Sequence, residues 1–184
     1  MPLFERTEIA VPDRSSPSTG PLRERLAWDS ARGRIADGPR RYLMMRPDVL
    51  MGALRGLAAP VRATALDAFA RSVAEHGADS IRAYSREVGA DPAALLAATV
   101  SAAADLGWGA WTFEPGRGRL GLVVAGSPFA EGWGAADAPV CAPVRGMLQA
   151  VASVAVGLDA DAHELECAAC GAPACRFEAR WAAC

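Results

Sequence analysis

The chain has 184 residues, 52% of them hydrophobic, with 19 basic and 21 acidic side chains and a formal charge of -2. That length allows one domain with a real core, and the near-balanced charge offers no basic field for nucleic acid. Five cysteines, an odd number, with no apolar signal segment behind a basic start, argue for a reducing cytoplasm. No apolar run approaches the ~20 residues that span a bilayer, so a soluble protein is expected.

Residues 1–30 are rich in Pro, Ser and charge (Val11-Pro12-Asp13-Arg14-Ser15-Ser16-Pro17) and bury little apolar surface, which predicts a loose N-terminal arm before a domain over 31–184. Arg34 to Met45 reads as a turn and a strand punctuated by Asp37-Gly38-Pro39. Pro47 and Pro60 each suit the first turn of a helix. From Pro60 a stripe of Val61, Ala65, Leu66, Phe69 and Val73 recurs at helical spacing, and Ile81, Tyr84 and Val88 give a second, shorter one. His76, beside Gly77, reads as a surface residue capping a helix end. Asp91-Pro92 is a cap and first-turn proline for a helix through Leu95, Thr99, Ala103 and Leu106, closed by Gly107.

Trp108 to Glu114 and Arg119 to Ala125 flank Pro115-Gly116-Arg117-Gly118, a hairpin signature. A last helix is expected from about Pro139 to Val156, with Cys141 in its first turn, where the positive helix end favours a thiolate. Cys175, Phe177, Ala179 and Trp181 then alternate with Arg176, Glu178 and Arg180, the pattern of a half-buried strand. Four helices and two hairpins make an α+β domain.

Four of the five cysteines fall between 141 and 175, and Gly171 and Pro173 allow a tight reversal between Cys167 and Cys175. Two thiols on the arms of one turn are a common half of a tetrahedral metal site, with Cys170 and Cys141 as further candidates. A single buried cysteine is as often a plain core residue. Cys184, at the terminus, suggests no partner.

The string Cys167-Ala168-Ala169-Cys170-Gly171-Ala172-Pro173-Ala174-Cys175-Arg176-Phe177-Glu178 resembles the closing hairpin of the 4-vinyl reductase domain family. Ser127-Pro128-Phe129-Ala130-Glu131 is similar to that family's N-S-P-F-A-E segment, and Pro139-Val140-Cys141 to its P-V-C helix start. The resemblance covers roughly residues 34–181. It implies an antiparallel sheet with helices on one side, the fold of vesicle-trafficking complex subunits, and a homodimer. By likeness to the sensor domains of aromatic-responsive transcription activators, it also implies a structural zinc held by Cys141, Glu164, Cys167 and Cys175. Glu166 and His163 are nearby and chemically competent alternatives to Glu164.

Relatives of this kind bind hydrophobic or aromatic small molecules, and Tyr42, Phe69, Trp108, Trp111, Phe113, Phe129 and Trp133, with Met44 and Met45, are candidates to line a pocket. The phenol sensors carry S-W-x-A-E, and Pro128 stands where their phenol-bonding tryptophan is expected, so the resemblance does not extend to phenol. No nucleotide loop, nucleophile elbow or paired-carboxylate signature is present. The leading reading is therefore a zinc-containing module that senses or carries a hydrophobic small molecule and hands its signal to a separate protein partner. A tetrapyrrole or bacteriochlorophyll biosynthesis protein of the 4-vinyl reductase type and a dimeric scaffold without ligand are the alternatives; catalysis is the less favoured option because no hydride-donor site is visible.

Overall fold

The computed structural model describes residues 20–89 and 91–182, so most of the expected N-terminal arm and Cys184 lie outside it. The described part of that arm holds a short helix, α1 (Leu22–Arg25), and a strand, β1 (Ala27–Asp29). Leu22 is buried there, and the Arg25 guanidinium reaches Asp37 at 3.2 Å and Glu87 at 3.4 Å. The turn and strand expected over 34–45 form a hairpin, β2 (Arg34–Asp37) and β3 (Arg40–Tyr42), which with β1 makes a three-stranded antiparallel sheet. Arg40 joins the same ion-pair network through Asp37 at 2.8 Å.

Three helices follow: α2 (Pro47–Arg55), α3 (Ala59–Val88) and α4 (Pro92–Asp105). Pro47 and Pro92 stand at first-turn positions, and the Asp91 carboxylate caps α4 by accepting the Ala93 N–H at 2.9 Å. The two stripes read between Val61 and Val88 belong to one uninterrupted helix of 30 residues. No proline interrupts it, and Gly77 is accommodated within the helix, close to Met147. His76 consequently sits inside a helix rather than at its end, and is exposed. The buried residues of α3 are Ala70, Ile81 and Tyr84; the last two belong to the second expected stripe, while of the first stripe Leu66 packs against the core only in part, Val61 is exposed, and Ala70, which that stripe omits, is buried.

The reason lies in α6 (Ala142–Val156), which packs along α3 in the most extensive interhelical contact of the fold. At the crossing, Gly146 meets the backbone of Ala70, and only two small residues allow that approach. Gly157, at φ 68°, ends α6 in the left-handed conformation.

The main sheet is antiparallel, with strand order β4-β5-β7-β6. Its members are β4 (Ala110–Gly116), β5 (Arg119–Ala125), β6 (Asp161–Glu166) and β7 (Cys175–Arg180). Leu120, Leu122 and Val124 of β5 pair with Ala179, Phe177 and Cys175 of β7, and all six are buried. Period-2 alternation places them on one face, which α6 covers with Val144, Leu148 and Val151. The other face carries charge, with Arg119 pairing to Glu178 at 3.3 Å and Arg176 to Glu114 at 3.6 Å. A six-residue helix, α5 (Pro128–Trp133), links β5 to the loop before α6 and has no counterpart in the sequence reading. The architecture is α+β, as expected.

Candidate metal centre

Three elements converge at one end of the sheet. Cys141 is the residue immediately before α6, so the expected first-turn placement shifts by one position. Its carbonyl accepts the Val144 and Arg145 N–H groups at 3.0 and 3.2 Å. Cys167 follows β6 and opens a 3-10 turn over Ala168–Cys170; Cys175 opens β7 and is the inward partner of Val124. The loop ahead of Cys141 is tied to this turn by the Ala136 N–H, which donates to Ala169 O at 2.9 Å.

Strand parity decides which of the neighbouring acids and the histidine faces the three thiols. Glu164 stands opposite inward-facing Phe177, two residues from buried Ala162. His163 is one residue off, opposite Glu178, and lies exposed beside Asp161 at 3.1 Å. Regular alternation would turn Glu166 inward as well, but a bulge follows Glu164: the next register pair is Glu166 with Arg176. Leu165 is expelled to 60% exposure, Glu166 points outward to Arg176 at 3.7 Å, and Cys167 turns back in.

The result is a four-residue cluster. One donor atom from each of Cys141, Glu164, Cys167 and Cys175 lies within 4.8 Å of every other. Cys141 Sγ is 3.9 Å from Cys167 Sγ and 3.7 Å from Cys175 Sγ, and the Cys141 N–H donates to Glu164 Oε2 at 2.8 Å. The three cysteines are fully buried. Ser127, a residue the sequence reading used only as part of a motif, places its hydroxyl 3.3 Å from Cys141 Sγ. Cys170 is exposed and stands outside the group.

This set is electrostatically unbalanced without a cation. Burial, reinforced by the neighbouring Cys167 thiol, pushes the Glu164 carboxyl up to about 8. Hydrogen bonds with Cys167 and Cys175, and then burial, push Cys141 up, while hydrogen bonds from Cys141 and Cys167 hold Cys175 down to about 3. One thiolate is thus favoured at the expense of its neighbours. Glu164 Oε1 is buried with no hydrogen-bond partner. Convergent soft donors, suppressed ionisation and an orphaned carboxylate oxygen fit a metal ion, and this cluster can hold one.

The aromatic candidates divide. Trp108 meets Phe129 edge-on at 5.1 Å and Trp111 at 6.4 Å, and Trp111 meets Phe113 at 6.0 Å, a continuous ring cluster. The Trp111 Nε1–H donates to Trp108 O at 3.0 Å. Trp133, 4% exposed at the end of α5, lies instead under the Arg62 guanidinium at 5.8 Å. Tyr42, on β3, and Phe69, on α3, are half-buried and make no ring contact with the cluster. Met44 and Met45 are exposed.

Fold and cluster together define a small α+β domain with a candidate metal-ligand set at the hairpin that closes its sheet. Residues 121–181 match the family model of the 4-vinyl reductase domain, a span that contains all four cluster residues and the three motifs that carried the resemblance. No curated protein sequence matches the chain. Among solved structures the phenol-responsive sensory domain of the transcription activator PoxR, crystallised with phenol, is similar at 22% identity over 86% of each chain, with a TM-score of 0.71. A vinyl-4-reductase family protein from Methanocaldococcus jannaschii is 12% identical, covering 77% of this chain and 98% of its own, with a TM-score of 0.49. A trafficking protein particle complex subunit 3 from Naegleria fowleri, covalently bound to palmitic acid, is 10% identical over 74% and 95%, with a TM-score of 0.48. Among the described residues no helix is long and apolar enough to cross a membrane.

Proposed function

We propose that this protein is a zinc-stabilised binding module that senses or carries a hydrophobic small molecule. The observation that carries the metal half is the spacing of the sulfurs. A tetrahedral zinc site with Zn–S bonds of ~2.3 Å has S···S edges of about 3.8 Å, and the Cys141 separations are 3.9 and 3.7 Å. Four protein donors leave no open position for water, which makes the role structural. Cys141, Glu164, Cys167 and Cys175 would hold the zinc, whose charge would balance the thiolates and tie the β6–β7 hairpin to the start of α6. This chain's own residues do the rest: Ser127 and the Ala168 N–H hydrogen-bond the sulfurs, and the bulge at Leu165 aims Glu164.

The ligand half rests on the ring cluster of Trp108, Trp111, Phe113 and Phe129 and on the likeness of fold to a phenol-responsive domain. Pro128 lacks the indole N–H that a phenol would need, so a less polar aromatic or hydrocarbon is the better fit. A homodimer belongs to the same proposal, with exposed Leu43, Met44 and Met45 as an apolar face for it. Output then passes to a separate protein.

Metal analysis with native mass spectrometry on protein purified from its own host tests this reading. One zinc per chain and an added apolar organic mass are expected. Protein that is fully folded, metal-free and unable to take up zinc would overturn the metal assignment, and a monomer by light scattering would overturn the dimer.

A further inference from the structure

A cavity of about 560 Å³ lies between the end of α2, the first turns of α3, the loop after α5 and the start of α6, with β6 at one side. That volume is in the range of small-molecule sites. None of Trp108, Trp111, Phe113 or Phe129 lines it, so it is separate from the ring cluster. Its walls are apolar in part, with Ala59, Ala63, Leu66, Pro139 and Val140, and alanine side chains leave the space open.

Three guanidiniums face this space, and they are not equivalent. Arg145 is neutralised by Asp67 at 2.6 Å. Arg55 donates from Nη1 to the Trp133 carbonyl at 2.6 Å. Arg62 donates from Nε and Nη2 to the Leu57 carbonyl at 3.2 and 2.8 Å, with its plane over the Trp133 ring. Arg55 is therefore held by the neutral Trp133 carbonyl and Arg62 by the neutral Leu57 carbonyl over the Trp133 ring, and neither has an ion pair among the described residues. Of the acidic groups on the wall, Asp67 is engaged, Glu164 belongs to the thiol cluster and Asp137 is exposed at the rim. A guanidinium cannot shed its charge. The cavity thus presents two fixed cations beside an apolar wall.

We infer that this cavity binds a small organic carboxylate, its anion between Arg55 and Arg62 and its hydrocarbon body against Leu66 and the alanines. Only part of each guanidinium remains free, Nη1 of Arg62 and Nη2 of Arg55 among the donors. That number suits the two oxygens of a carboxylate better than a phosphate, and a bare inorganic anion would leave the apolar wall uncovered. The inference goes beyond the proposed hydrophobic-ligand site and uses different residues.

Isothermal titration calorimetry on the full, metal-loaded chain tests it, with benzoate as the probe and benzyl alcohol and inorganic phosphate as the neutral and purely anionic comparisons. Benzoate is expected to bind one per chain, with both comparisons weaker by roughly tenfold or more. Arg55→Gln and Arg62→Gln should each weaken benzoate by a similar factor, and Arg117→Gln, in the β4–β5 turn, should not. Arg62→Gln also strips a cap from Leu57, so Ala63→Leu, which fills the cavity without touching a charge, provides the second variant and should abolish binding. Absence of benzoate binding, equal binding of benzyl alcohol, or benzoate binding that survives both Arg55→Gln and Ala63→Leu overturns the inference. Benzoate binding that is lost with Phe113→Ala but kept with Ala63→Leu would overturn it while leaving the hydrophobic-ligand reading standing.

Discussion

Gly146→Ala separates local helix preference from tertiary packing, because the two predict opposite signs. In an exposed helix interior, replacing glycine by alanine stabilises by about 0.5–1 kcal/mol. At Gly146 the added Cβ would overlap the carbonyl oxygen of Ala70 and stand 2.9 Å from its carbonyl carbon and 3.1 Å from its Cα. Carbon contacts settle at about 3.5–4.0 Å, so α6 must retreat from α3 by roughly 1 Å. Both obstructing groups are backbone, and no rotamer change relieves them. Overpacking of this kind costs about 1–3 kcal/mol, and an unyielding neighbour puts it at about 3. For a domain of this size that is a fall in Tm of about 6–12 °C. Gly52→Ala in α2, where a Cβ meets nothing within 4 Å, is the control and should raise Tm by about 1–4 °C. Thermal unfolding followed by circular dichroism, at matched metal content, gives both numbers. If Gly146→Ala is as stable as the parent or gains as much as Gly52→Ala, the close α3–α6 crossing is wrong.

Removal of metal should lower Tm by about 8–16 °C, the equivalent of ~4 kcal/mol for a metal present at about 1,000 times its Kd; a chelator that leaves the melting curve unmoved would contradict the zinc proposal. Glu164→Gln should lower metal affinity severalfold or more in a competition titration, whereas His163→Ala should leave it unchanged, since His163 faces the other side of β6. Asp37→Ala takes from Arg40 its ion pair and leaves the guanidinium of Arg25, a residue 8% exposed, with Glu87 as its remaining ion-pair partner, and should cost about 1–3 kcal/mol in denaturant unfolding; a loss well below ~1 kcal/mol would mean that the network is solvated. Burial pushes the Asp105 carboxyl up, but the Arg23 N–H and guanidinium outweigh it and hold it below its ordinary 3.8. A depressed carboxylate contributes stability above its unfolded value and loses it as pH falls through the folded one. Asp105→Asn should therefore cost about 1 kcal/mol at neutral pH, a cost that shrinks as the pH falls below 3.8, and a pH-independent difference would refute the assignment.

How much of this was legible in the sequence depended on whether the signal was local. Leu120, Leu122 and Val124, and Cys175, Phe177 and Ala179, alternate in the sequence and face the core as that alternation requires. Asp91-Pro92 announced α4 because a cap acts within a few residues of itself. On α3 the inward Ile81 and Tyr84 were readable from their spacing, but Ala70 was not, because it is chosen by Gly146, 76 positions away, and not by any feature of its own helix. Six residues at Pro128–Trp133 are too few for a helical period to register. Three cysteines of the cluster were visible as a spacing, but the choice among His163, Glu164 and Glu166 depends on strand parity and on a bulge that only pairing with β7 reveals. Of the cavity at Arg55 and Arg62 the sequence singled out Trp133 alone as a pocket residue, since its walls come from separate stretches of chain.

That bulge turns the hairpin into a counting device. Before Leu165 the inward residues are Ala162 and Glu164, even-numbered; after it they resume at Cys167, odd-numbered. Carboxylate and thiol face the same cluster only because one residue is left out of the alternation. With three positions from Glu164 to Cys167, plain alternation would put the two donors on opposite faces, and the bulge absorbs the odd residue. Loss of one residue between them would leave a step of two, which plain alternation satisfies with no bulge, whereas loss of both would put the donors on opposite faces. Segment length and bulge are therefore tied, an odd step needing one and an even step none, and side-chain identity at Leu165 itself, exposed and unpaired, is left free to vary.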